Sequence, residues 1–338
     1  MKHLLLITAF AFTPVMSQAQ TSGEVIEGIV RDHILSGFVQ LEQKTAAFSQ
    51  TASSDCTPTS AALRDGYADA FDAWVLVSHL RFGPTEVGDR GFALAFWPDS
   101  RGTTPRSLGA LITDQDAVVD SSDSYGHVSI AARGFYAMEL LLYDAALSDG
   151  ANPQYLCSLI QAVAGDMATT TAAIAHDWRE DYAARLIAPS SGGTYRGEEE
   201  VLQELFKALG TGLQFTSEVR LGRPLGTFDR PRPNRAEVWR AGRSARHVVL
   251  SLTALRDLSL RLSAADPAIA AHLAEGFDLA LARMESLDDP IFAGVEQPQG
   301  RLRLEVVQQA VNGVRAEVRD ALGPHLGVAA GFNALDGD

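Results

Sequence analysis

"AARGFYAMELLLYDAAL", Ala131 to Leu147, reads as a helix that is apolar on nearly every side. A helix of that kind is buried, so the fold must supply other helices to cover it. Four residues break the pattern. At helical spacing Arg133, Tyr136, Glu139 and Tyr143 share one stripe, while Ala131, Phe135, Met138 and Leu142 lie opposite. The polar stripe is expected to face a groove or a domain interface. Leaving Glu139 buried and unpaired would cost several kcal/mol, so it must meet a cation, a hydrogen-bond donor or a metal.

The second half of the chain offers partners. "VWRAGRSAR" holds Arg240, Arg243 and Ser244 at what reads as the start of a helix. One of these arginines is expected to form a bidentate pair with Glu139 across the domain interface, with Tyr136 as a hydrogen-bonding wedge. A ligand-binding role for Glu139 stands beside that structural one. Trp97 and Trp239 sit in or next to long loops, where an aromatic-lined pocket could form, and Asp99 either binds there or caps the helix after it.

Elsewhere the pattern is helical almost throughout. Ile26, Val30, Ile34, Phe38 and Leu41 recur at spacings of three and four, as do Val307, Val311, Val314, Val318 and Leu322. Helices are expected near 23–53, 58–82, 104–113, 124–147, 153–186, 197–221, 235–263, 267–287 and 299–321. "APSSGGTYRG" at 188–197 is the most linker-like stretch. The expected fold is therefore all-α, two four-helix-bundle-like domains packed side by side, spanning 20–187 and 198–338. Long connections at 82–102 and 222–234 are candidate functional loops.

The first residues, "MKHLLLITAFAFTPVMSQAQ", combine Lys2 and His3, a short apolar run and a small-x-small site, the pattern of a signal peptide over 1–19. The apolar run is too short for a membrane anchor, and an exported, periplasmic chain is expected. The formal net charge of −14 disfavours nucleic acid as a partner. Two cysteines, Cys56 and Cys157, read as a disulfide in an oxidising compartment.

Several chemistries lack their motifs. The eight histidines form no His-Glu-x-x-His pair, and "GRSAR" at 242–246 lacks the second glycine of a serine-hydrolase elbow. No glycine cluster sits where phosphate-cradling loops need one. His272 and Glu275 have ligand spacing, but their amphipathic helix suits a solvated face better.

"GFYAMELLLYD" resembles the Gly-x-His-x-x-Glu signature of the imelysin, or M75 peptidase-like, family. Gly134 and Glu139 fill the glycine and glutamate positions, and Tyr136 stands where the histidine would be. "HLRFGP" (79–84), "FWPDSRG" (96–102), "RLGRPLG" (220–226) and "EVWRAGRSARH" (237–247) are similar to the family's other landmarks, in the same order. The resemblance implies an all-helical periplasmic or outer-surface protein with a site where two bundle-like domains meet. It also implies kinship with bacterial iron-uptake components and with a protein named for peptidase activity. A phenol ligates at neutral pH only when a strong Lewis acid such as ferric iron deprotonates it, so the exchange weakens zinc hydrolysis.

The reading that results is a non-catalytic binding or accessory protein associated with iron uptake. The alternatives are an M75-like metallopeptidase, with Glu139 as metal ligand or general base for iron or another transition metal, and a docking module for an envelope protein. The candidate site residues are Arg133, Tyr136, Glu139, Trp97, Asp99, Trp239, Arg240, Arg243 and Ser244.

Overall fold

The computed structural model describes residues 20–328, so the expected signal segment at 1–19 lies outside the described residues. The longer helices are α1 (22–54), α2 (Ala61–Val77), α3 (Thr103–Asp114), α4 (Gly134–Tyr143) and α5 (153–187), then α6 (198–225), α7 (Ser244–Leu262), α8 (Pro267–Glu285) and α9 (298–325). The all-α expectation holds. Among the described residues the one extended pairing is an isolated bridge between Thr227 and Arg230. Among them, too, no helix is long and apolar enough to cross a membrane.

Local chemistry sets many of the boundaries. Thr21 and Glu24 form a reciprocal capping box at the start of α1, and the Ser60 hydroxyl accepts from the Leu63 N–H at the start of α2. Asn152 before Pro153 and Asp266 before Pro267 open α5 and α8 in the same way, with proline where no N–H is needed. Four of the helices contain a wide π turn, at Val30–Leu35, Trp178–Tyr182, Phe215–Leu221 and Val318–Leu322. Such turns rotate the side chains that follow and often mark functional positions.

Helix α1 packs along α2 and α5, and α8 packs between α7 and α9. Residues before and after the 188–197 stretch also meet directly, through α2 against α7 and through α1 against α6 and α7. Their buried side chains form one continuous apolar cluster, from Ile26 to Leu322. The expected Cys56–Cys157 disulfide is present, tying the chain before α2 to α5 across 101 residues.

Three expected helices are shorter than their sequence suggested, and the one near 58–82 covers only Ala61–Val77. The stretch 124–147 is mostly turns until Gly134, whose φ of +72° begins α4. A Cβ there would stand 2.3 Å from the carbonyl oxygens of Ala93 and Leu94, so only glycine fits. Likewise 235–243 is a chain of turns, with Val238 at φ 43° and Gly242 at φ 73°, and α7 starts at Ser244.

Candidate functional site

Helix α4 is buried along nearly its whole length, and it lays Tyr136 and Glu139 against the turns that precede α7. The Tyr136 hydroxyl donates a short hydrogen bond to Glu237 Oε1. Arg220 Nε donates to the other oxygen, Oε2, at 2.7 Å, and both partners of this pair are at most 4% exposed. Arg220 sits in the π turn Phe215–Leu221. Its remaining donors reach Ser251 Oγ at 3.2 Å and Ser78 Oγ at 3.5 Å. His247 Nδ1 is 3.2 Å from Glu237 Oε2, but neither ring nitrogen makes an aligned hydrogen bond. The Ser244 hydroxyl donates to the Glu237 carbonyl at 2.6 Å, closing the turn.

Glu139 is held differently from the expectation. Its Oε1 accepts the main-chain N–H groups of Arg240 and Ala241 at 3.1 and 3.3 Å. The Arg240 side chain instead meets Asp144 at 3.0 Å and lies over the Trp239 ring at 4.7 Å. Arg243 pairs with Asp72, which also takes Arg246 at 3.0 Å. The expected bidentate arginine–Glu139 pair is thus corrected. Because 235–243 is not helical, its backbone N–H groups are free to point at the carboxylate, and the guanidinium groups extend beyond it.

The other predicted residues divide. Trp97 stacks on Tyr136 at 5.8 Å between ring centroids, so it adjoins the Tyr136–Glu237 junction. Asp99 accepts the N–H groups of Arg101 and Thr104 and serves as a cap for α3. Arg133 leaves the predicted stripe. It precedes α4 in extended conformation and makes a two-pronged ion pair with Asp166 of α5, at 2.7 and 2.9 Å. His272 stands exposed, 3.8 Å from Glu317 rather than paired with Glu275. Arg220, Glu237 and His247, absent from the predicted set, turn out to be its centre. Their signal was present, since each lies at the edge of a family-like stretch.

Burial works against the charge on Glu237, yet the adjacent Arg220 guanidinium outweighs it and holds the carboxyl below the usual range. Burial pushes His247 down, so the ring tends to neutrality. Burial, reinforced by the Glu237 charge, pushes the Tyr136 phenol well above its ordinary value. Glu139 is pushed up to about 7, by burial, against the opposing effects of Arg240 and the two N–H donors.

These groups do not fit a metal centre. A metal would need Tyr136 as phenolate, but its proton is the one bonded to Glu237, and the second Glu237 oxygen is taken by Arg220. Among the described residues no group of three or more His, Cys, Asp or Glu side chains is placed to hold a metal ion. A separate buried pair, His33 Nε2 and His79 Nε2 at 2.9 Å, runs out to Asp257 at 2.7 Å.

Fold and site together define an all-helical protein whose two sequence halves are joined through a buried phenol–carboxylate–guanidinium chain and an acid seated on a turn. The imelysin family model (Peptidase M75) matches residues 34–318, and the chain belongs to that family. Its fold is similar to that of an imelysin-like protein from Psychrobacter arcticum 273-4, with a TM-score of 0.79 at 17% identity, over 95% of this chain and 100% of that one. It is also similar to a proposed iron-regulated protein A precursor from Parabacteroides distasonis ATCC 8503, with a TM-score of 0.76 at 11% identity, over 90% and 95% of the two chains. No curated protein matches the chain in sequence.

Proposed function

We propose that this imelysin-family chain is an exported, periplasmic binding or accessory protein linked to iron acquisition, without peptidase activity, working at the junction of Tyr136, Glu139 and Glu237. The observation that carries the reading is the Tyr136–Glu237–Arg220 chain, in which the groups that would ligate a hydrolytic metal already satisfy one another. The likeness to the iron-regulated protein A precursor of Parabacteroides distasonis supports the link to iron. The disulfide suits an oxidising compartment and supports export.

A casein digestion with and without chelator tests the reading. It predicts no hydrolysis above a Glu237→Gln control, whereas cleavage that chelator abolishes would establish the metallopeptidase alternative. A docking role, with the junction as a purely structural lock, has one specific support: the ion pairs of Asp72 and Asp144 also tie the halves together.

A further inference from the structure

The segment after Arg220 carries four arginines in succession, Arg223, Arg230, Arg232 and Arg235, with Asp229 as its one acid. The segment is tied down. Gly226, at φ +56°, comes so near the Arg230 carbonyl that a Cβ would lie 2.4 Å from it. The Arg232 N–H donates to the Pro224 carbonyl at 2.8 Å, and the Arg301 guanidinium donates to the carbonyls of Leu225 and Thr227 at 2.6 and 3.1 Å. Among the described residues none of the four arginines holds an ion pair. By contrast Arg220, Arg240, Arg243 and Arg246 on either side each hold one. The absence is notable in a chain with 42 acidic residues against 28 basic ones.

Arg223 is the inner member. Its guanidinium lies over the Trp97 ring at 5.6 Å, on the same indole that stacks against Tyr136. Its Nε is enclosed with no hydrogen-bond acceptor. The turn Gly222–Leu225 packs against the turn Pro233–Arg235, which brings these two cations together; burial and then the charge of Arg235 push Arg223 below its ordinary value. A buried unpaired donor and a like-charge pair both disfavour the arrangement as it stands. An oxyanion between them would relieve both. Asp99 is committed to the start of α3 and Glu237 to Arg220.

We propose that Arg223 and Arg235, with Trp97 as the apolar wall, form a binding site for an oxyanion-bearing ligand, a carboxylate or phosphate group, at the edge of the junction. The guanidinium fork matches the geometry of such groups, and the indole face suits the body of a ligand that carries one. The proposal deepens the binding reading above and rests on it.

Calorimetric titration of the full chain with inorganic phosphate and, separately, with citrate at low ionic strength tests the site. The expected result is saturable binding of at least one probe, weakened about tenfold or more in Arg223→Gln and in Arg235→Gln. Arg303→Gln, at an exposed position on α9, should bind as the wild type does. Binding should also change the tryptophan fluorescence of the wild type, and Trp97→Phe should lose that change. Arg235 is exposed, so its variant remains informative should Arg223→Gln fail to fold. No saturable binding of either probe, or equal affinity in the wild type and both arginine variants, would overturn the site. The casein assay is independent of this titration, so failure of the non-hydrolytic reading would be seen separately.

Discussion

Tyr136 stands where the family signature carries histidine, and its hydroxyl decides what the junction can do. Its bond to an ionised carboxylate is charge-assisted, so Tyr136→Phe should lower stability by about 1–3 kcal/mol in urea denaturation. Arg220→Ala should cost more, about 3–5 kcal/mol, because it leaves Glu237 charged and buried with no cation. Glu139 makes a pH prediction of definite sign. Its folded value of about 7 lies above its ordinary 4.5, so between these pH values the folded chain holds a proton that the unfolded chain releases. The stability from this group is complete below the lower value and is lost as pH rises through the upper one. Glu139→Gln removes the effect. The unfolding free energy of the variant relative to wild type should therefore move in its favour by roughly 2–3 kcal/mol from about pH 5 to about pH 8. A difference that stays flat with pH would contradict the assignment.

Helix α4 and its surroundings show which elements the sequence disclosed and which it concealed. Apolar periodicity located the long helices; of the expected polar stripe, Tyr136 and Glu139 meet residues of the second half, whereas Arg133 turns to Asp166 of the first. Composition alone ran α4 back through 124–133, because only the backbone of Gly134 betrays the break. Gly134→Ala should cost about 3 kcal/mol or more, from left-handed strain added to contact with two carbonyls, and should lower the melting temperature accordingly. The same limit explains Glu139. "EVWRAGR" (237–243) has good helix formers, yet it turns, and a turn offers main-chain N–H groups where a helix would have offered guanidinium groups. The disulfide was legible from cysteine count. Replacing Cys56 and Cys157 together by serine should cost roughly 4 kcal/mol by the closure entropy of so long a loop, read as a lower denaturation midpoint.

At the scale of the molecule, the family and the all-helical class were readable because each is spread over many residues. The pairing of Arg220 with Glu237 was not. It depends on a π turn in α6 and on the register of α6 and α4 against the turns before α7, and periodicity within one helix carries neither. The assembled junction is a set of buried groups that satisfy one another across the two halves, with a cationic loop at its edge. The central consequence of the proposed function is that the imelysin-like position holds no catalytic metal. The most direct test is metal analysis after the full chain is loaded with zinc or ferric iron and desalted, for the wild type and for Glu237→Gln. The account predicts no stoichiometric metal in either protein, and a stoichiometric ion retained by the wild type and lost in Glu237→Gln would contradict it.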